Sequence, residues 1–175
     1  MTKDHQKKKT IIEQAGEDLF DFATDRDDVK WLLNQLSNQT QAKPATVDYE
    51  LQILKIVCVG WSISYFMSGT PKKKAHLLES YWQAVNAFAC DLSQTTGLMI
   101  GQDIDYFEIL KTRLDHYVKI MAESPDTADP TAVIGPAFAQ RCGAADDLFA
   151  SISGAKMFST TMNRVRRYLE AVKLR

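Results

Sequence analysis

Three histidines, three cysteines and a band of aromatic residues are the side chains of this 175-residue sequence with the most chemistry to offer. His116 stands beside the helical stripe Leu110, Leu114 and Tyr117, with Asp115 and Lys119 close in sequence. An imidazole at the edge of a cleft would act as an acid or base near neutral pH. No serine, cysteine or aspartate is spaced to complete a triad with it. His5, His76 and His116 are too scattered to form a metal site, and HExxH and CxxC are absent. The Glu-x-x-His pairs of di-iron bundles are approached only by His76 and Glu79, in reverse order. P-loop, GxGxxG and GxSxG signatures are missing as well. The sequence thus names no catalytic residue, no metal and no cofactor.

The aromatic residues Trp61, Tyr65, Phe66, Tyr81, Trp82 and Phe88 fall on the two segments that look most buried. Helical spacing of such residues marks core in the first place and pocket lining in the second. Gly60 and Ser64 thin the middle of one segment, and Asn86 lies next to the apolar face of the other, where a buried amide needs partners or a ligand. Trp61, Tyr65, Trp82, Asn86 and His116 are therefore the candidate set for a small apolar or aromatic ligand.

Charge supplies the other candidates. Glu13, Glu17, Asp18, Asp21, Asp25, Asp27 and Asp28 crowd one end of the chain, and Lys156, Arg164, Arg166, Arg167, Lys173 and Arg175 the other. A basic tail of this kind serves an acidic partner, or packs beside the acidic first helix. Lys72, Lys73 and Lys74 open a helix where the macrodipole disfavours cations, which leaves room for a bound anion or an acidic partner as well as for solvation. With 21 basic against 22 acidic residues, and no aromatic platform in the tail, nucleic acid is not an expected partner.

Helices must carry all of these residues, because no segment alternates with strand period. Thr10 and Glu13 have capping-box spacing ahead of a helix to about Ala23, and Val29 to Leu36 forms a second, short one after a start at Thr24 to Asp28. Residues 37–45 read as a loop. Val47 to Met67 is apolar on most of its circumference and Pro71 to Thr96 on a broad face; the turn between them makes them antiparallel neighbours and the central pair. Ile104 to Met121, capped by Asp103, gives a further helix. Pro136 to Cys142 and Ala145 to Ser153 give two short pieces, separated by Gly143 and ended by Gly154, and Phe158 to Val172 a last helix. The expected fold is an all-α, single-domain bundle of five clear helices plus two short ones over residues 10–175, behind a flexible basic segment at 1–9. Leu54 and Trp61 should be almost wholly buried.

Ile56 to Met67 is too short to span a bilayer, and Met1 to Thr10 lacks the apolar run of a secretory signal, so a soluble chain without a membrane is expected. Cys58, Cys90 and Cys142 sit among apolar or small residues and suit reduced, core-packed thiols in the cytoplasm. Together these features point to a non-enzymatic helical interaction or adaptor protein with a protein partner, homo-oligomerisation being open. The alternative is a bundle that holds a small apolar or aromatic ligand in its core, with His116 available for enzyme chemistry.

Overall fold

The computed structural model describes residues 9–36 and 40–174, and the expected flexible segment lies almost entirely outside them. The described residues form seven helices and no strand: α1 (Ile11–Thr24), α2 (Asp27–Asn34), α3 (Pro44–Phe66), α4 (Pro71–Ile100), α5 (Tyr106–Ala122), α6 (Thr131–Arg141) and α7 (Leu148–Ala171). The bundle is all-α, as expected. None of these helices is long and apolar enough to cross a membrane.

α3 takes the centre because it has no continuous polar side: nearly every residue from Leu51 to Ile63 is buried, and Leu54 is 1% exposed. It touches α1, α2, α4, α5 and α7. Its fully buried polar residues, Glu50, Lys55 and Ser62, are all engaged. Ser62 donates to the Cys58 carbonyl at 2.6 Å. The buried Lys55 ammonium donates to the Asp25 carbonyl at 2.8 Å, lies 3.1 Å from the Asp28 carboxylate and sits 4.4 Å from the Phe22 ring centroid. Lys55 thereby ties the end of α1 and the start of α2 to the central helix. Pro44 occupies the first turn of α3, so the helix starts three residues earlier than the apolar pattern indicates.

α4 is less central than expected. It buries one stripe, Leu77, Tyr81, Val85 and Ala89, while Tyr81 donates to the Ile56 carbonyl of α3 at 2.7 Å. The main cover of α3 is α7, which also packs against α6. α4 also runs through Gly97 to Ile100, because Gly101 at φ 67° supplies the left-handed cap and its N–H reaches the Gly97 carbonyl at 2.9 Å. The following helix is capped by Asp105 rather than Asp103, through the Glu108 N–H at 2.9 Å.

Residues 130–154 correct the sequence analysis most. Pro136 lies inside α6, and the expected piece Ala145 to Ser153 is the beginning of α7, capped by Asp147 and continuous through Gly154. Gly154 does not break the helix. It is the point of close approach, where a Cβ would stand 2.5 Å from the Phe138 side chain of α6.

The three cysteines are free thiols, but only Cys58 and Cys142 are buried; Cys90 is on the exposed side of α4. Burial pushes both buried thiols up to about 12, against a hydrogen bond with Ser62 at Cys58 and with Glu50 and Asp147 adding to it at Cys142. A thiol-specific reagent at pH 8 is expected to titrate one group in the native protein and all three after unfolding. A native count of zero or three would contradict this arrangement.

Candidate functional site

Where α3 leaves the core, its last turns form one wall of a half-open cleft of about 420 Å³. α7 supplies the opposite wall, and the end of α5 with the connection into α6 closes the third side. Trp61 is only half-buried here, against the expectation of near-complete burial, because it lines the open cleft. Its indole stacks on Tyr65 with ring centroids 5.1 Å apart and 15° between planes, and it tilts against Phe158 of α7 at 5.7 Å. Tyr65 is 59% exposed and stands edge-on to Phe66 at 5.1 Å. Met121, Val133 and Met162 complete the apolar lining.

The rim is polar, with Ser124, Thr127, Ser159 and Asn163 beside Asp129, Thr131 and Arg166. The Asp129 carboxylate accepts from the Thr131 backbone N–H at 2.9 Å at the start of α6. That bond and a second from the Thr131 hydroxyl hold it below its ordinary value. It is thus committed to the helix start. Arg166 lines the cleft and forms no ion pair with any described residue. The cleft offers stacking, apolar burial, a few hydroxyl and amide groups, and the Arg166 guanidinium.

Of the residues singled out from sequence, Trp61, Tyr65 and Arg166 come together here. Trp82 does not join them: it lies over Gly60, where a Cβ would meet its ring at 2.4 Å, and edge-on to Tyr81 and Phe107. Asn86 is exposed, with its carbonyl oxygen 3.8 Å from the Cys90 sulfur, so it poses no buried amide. His116 is outside the cleft lining, edge-on to Tyr117 at 5.5 Å. Lys72 and Lys73 are exposed and Lys74 half-buried in the first turn of α4, without an ion pair to another described residue. Arg164 pairs with Asp28 at 3.0 Å and Tyr168 donates to Asp18 at 2.6 Å, while Arg167 is exposed. The acidic and basic ends do meet, at Asp28 with Arg164 and at Asp18 with Tyr168.

Sequence reasoning missed a second polar centre, in the interior. Glu50 of α3 receives a two-pronged contact from Arg113 of α5, at 2.9 Å to Nε and 2.6 Å to Nη2. The two residues are 63 positions apart and no local pattern links them. A further cavity, of about 230 Å³, lies among α3, α4 and α5, lined by Ile53, Ile56, Phe88, Leu92, Tyr106 and Ile109. The space between α3, α5 and α7 beneath Trp61 is filled, with only about 10 Å³ left. In comparisons with family models, with curated proteins and with solved structures, nothing matched this chain.

Proposed function

We propose that this protein is a non-catalytic interaction module whose cleft receives an aromatic or large apolar side chain, flanked by an acidic residue, from a protein partner. The observation that carries this reading is the stacked pair Trp61 and Tyr65 beside the uncommitted Arg166. Tryptophan, tyrosine and arginine are the residue types that supply most of the energy at protein interfaces. Exposed aromatic faces bury area at low entropic cost, and Arg166 complements an acid because Asp129 is already engaged. The filled core beneath the cleft favours docking at the surface over engulfment of a ligand.

Selection of a displayed random-peptide library on the full chain tests this. Enriched peptides should carry an aromatic residue next to Asp or Glu, and Tyr65→Ala and Arg166→Glu should each weaken them by about 2 kcal/mol or more, roughly thirtyfold. Trp31→Ala, an exposed aromatic elsewhere, should leave them unchanged. Peptides that ignore Tyr65 and Arg166 would overturn the reading. The second reading, a small apolar ligand inside the bundle, draws on the cavity of about 230 Å³ among α3, α4 and α5. Selected binders lost in Phe88→Ala but kept in Tyr65→Ala would support it instead.

A further inference from the structure

The last turn of α4 turns large apolar side chains outward: Leu98 and Met99 are 89% and 79% exposed, and Ile100 follows them. Phe88 and Leu92 are exposed too, and share a face with Met99, because steps of 4 and 7 return to one side of a helix. Both line the cavity of about 230 Å³ among α3, α4 and α5. Tyr106, another lining residue, is tied to α4 through its N–H, which bonds the Ser93 hydroxyl at 3.2 Å. An apolar stripe about 16 Å long thus runs from a half-open pocket to the tip of the helix. Exposed stretches of this kind mark interaction sites.

Charge says what covers it. From Ala75 to Leu110 the chain has no lysine or arginine, against Glu79, Asp91, Asp103, Asp105 and Glu108, the last shared with Lys111. Asp91 lies one turn from Phe88 and next to Leu92. The Asp103 carboxylate stands 3.7 Å from where a Cβ on Gly97 would be, at the last turn of α4, and Asp105 begins α5 beside Tyr106. α1, which packs along α4, carries no base either, and places Asp21 next to Phe20, whose ring meets Phe88 edge-on at 6.0 Å. Arg26, the base at the cavity among the described residues, is held by Asp48. The carbonyl end of α4 has no base in its last turn and adds to the negative potential. A two-fold contact with a second copy would set acid against acid, and an anionic bilayer would be repelled. The cavity is also smaller than the ~300–1,000 Å³ of small-molecule pockets, and suits side chains entering from outside.

We propose that Phe88, Leu92 and Met99, framed by Asp91, Asp103 and Asp105, form a docking stripe for a basic amphipathic helix of a protein partner. Apolar residues of that helix at i, i+3 or i+4, and i+7 enter the cavity and follow the stripe, while its lysines or arginines face the acids. The stripe is a surface separate from the Trp61 cleft.

The probe is a synthetic amphipathic helix of leucine and lysine, with a counterpart in which every lysine is glutamate. NMR of the full chain should show saturable binding of the leucine–lysine peptide, with shifts at Phe88, Leu92 and the Met99 methyl and none at Trp61, and an affinity that falls as salt rises. Leu92→Gln, Met99→Gln, and Asp91→Lys combined with Asp103→Lys should each weaken it by about tenfold or more, and Tyr65→Ala should leave it unchanged. The substituted side chains are all exposed, so the fold persists. Equal binding of the leucine–glutamate peptide, or an affinity that ignores these variants, would overturn the proposal. Binding to phosphatidylserine vesicles, or self-association in sedimentation, that Met99→Gln abolishes would assign the stripe to a membrane or to a second copy and overturn it as well.

Discussion

Replacing Glu50 with alanine is expected to lower unfolding stability by about 3–5 kcal/mol, because it strands the Arg113 guanidinium in the interior. The pair is buried on both sides, at 5% side-chain exposure for Glu50 and 17% for Arg113. With the carboxylate gone, Arg113 Nε and Nη2 both lose the acceptor they bond. Removing both charges should cost far less: Glu50→Leu with Arg113→Met should recover most of the loss, since an apolar pair of similar volume often matches a buried ion pair. Urea denaturation of the single and double variants measures both. A single-variant loss below ~1 kcal/mol, the range of an exposed pair, would show that water reaches Arg113.

Asp147→Ala is the second large effect, expected at about 3 kcal/mol. One carboxylate oxygen caps α7 through the Phe149 and Ala150 N–H groups at 2.9 and 3.1 Å. The other accepts from the Thr40 hydroxyl and from the Gln41 and Ala42 N–H groups at 2.7 and 3.1 Å, holding the chain just ahead of α3. Loss of a cap costs ~1 kcal/mol, and each buried donor left without an acceptor adds a further ~1–3 kcal/mol, reduced where water replaces the carboxylate. The effect depends on pH. Burial raises the acid, but the hydrogen bonds from Thr40, Ala150, Ala42 and Gln41 outweigh it and hold the acid at about 2, below the ordinary 3.8. A depressed acid stabilises the fold above its unfolded value and loses that contribution as pH falls toward the folded one. The gap between wild type and Asp147→Ala should therefore be full at pH 6 and shrink between pH 4 and about 2. A gap that does not change with pH would mean that the hydrogen bonds do not depend on the ionised carboxylate.

Local signals were legible in the sequence where the partner is also local. Thr10 and Glu13 form the capping box their spacing announces, with the Thr10 N–H 2.7 Å from the Glu13 carboxylate. The all-round apolar character of α3 placed it at the centre for a sound reason, since only an interior helix can lack a polar side. Signals failed where a distant residue decides. Gly154 reads as a stop until Phe138 of α6 gives it a purpose, and Gly97 yields to Gly101 because the chain after α4 turns back, with the Tyr106 N–H bonding the Ser93 hydroxyl. Trp61 was expected in the core from its stripe alone. Its true half-burial comes from the cleft left between α3, α7 and the connection from α5 to α6, which no stripe encodes. Arg166 was one of several basic residues in the tail, and only the fold sets it apart, by sending Arg164 to Asp28 and leaving Arg166 at the cleft.

The order of the helices along the chain also governs how the protein meets the cell as it is made. α3 is the most apolar segment, and its main cover, α7, leaves the ribosome only after α4, α5 and α6 have followed it out. At synthesis rates of about 5–20 residues per second, seconds separate the two. The Asp147 clasp on Thr40, Gln41 and Ala42 likewise cannot close until α7 begins. Through that interval the nascent chain presents a greasy helix to its surroundings, and the length of the interval, set by topology rather than by composition, is the time for which a chaperone or the ribosome surface has to shield it.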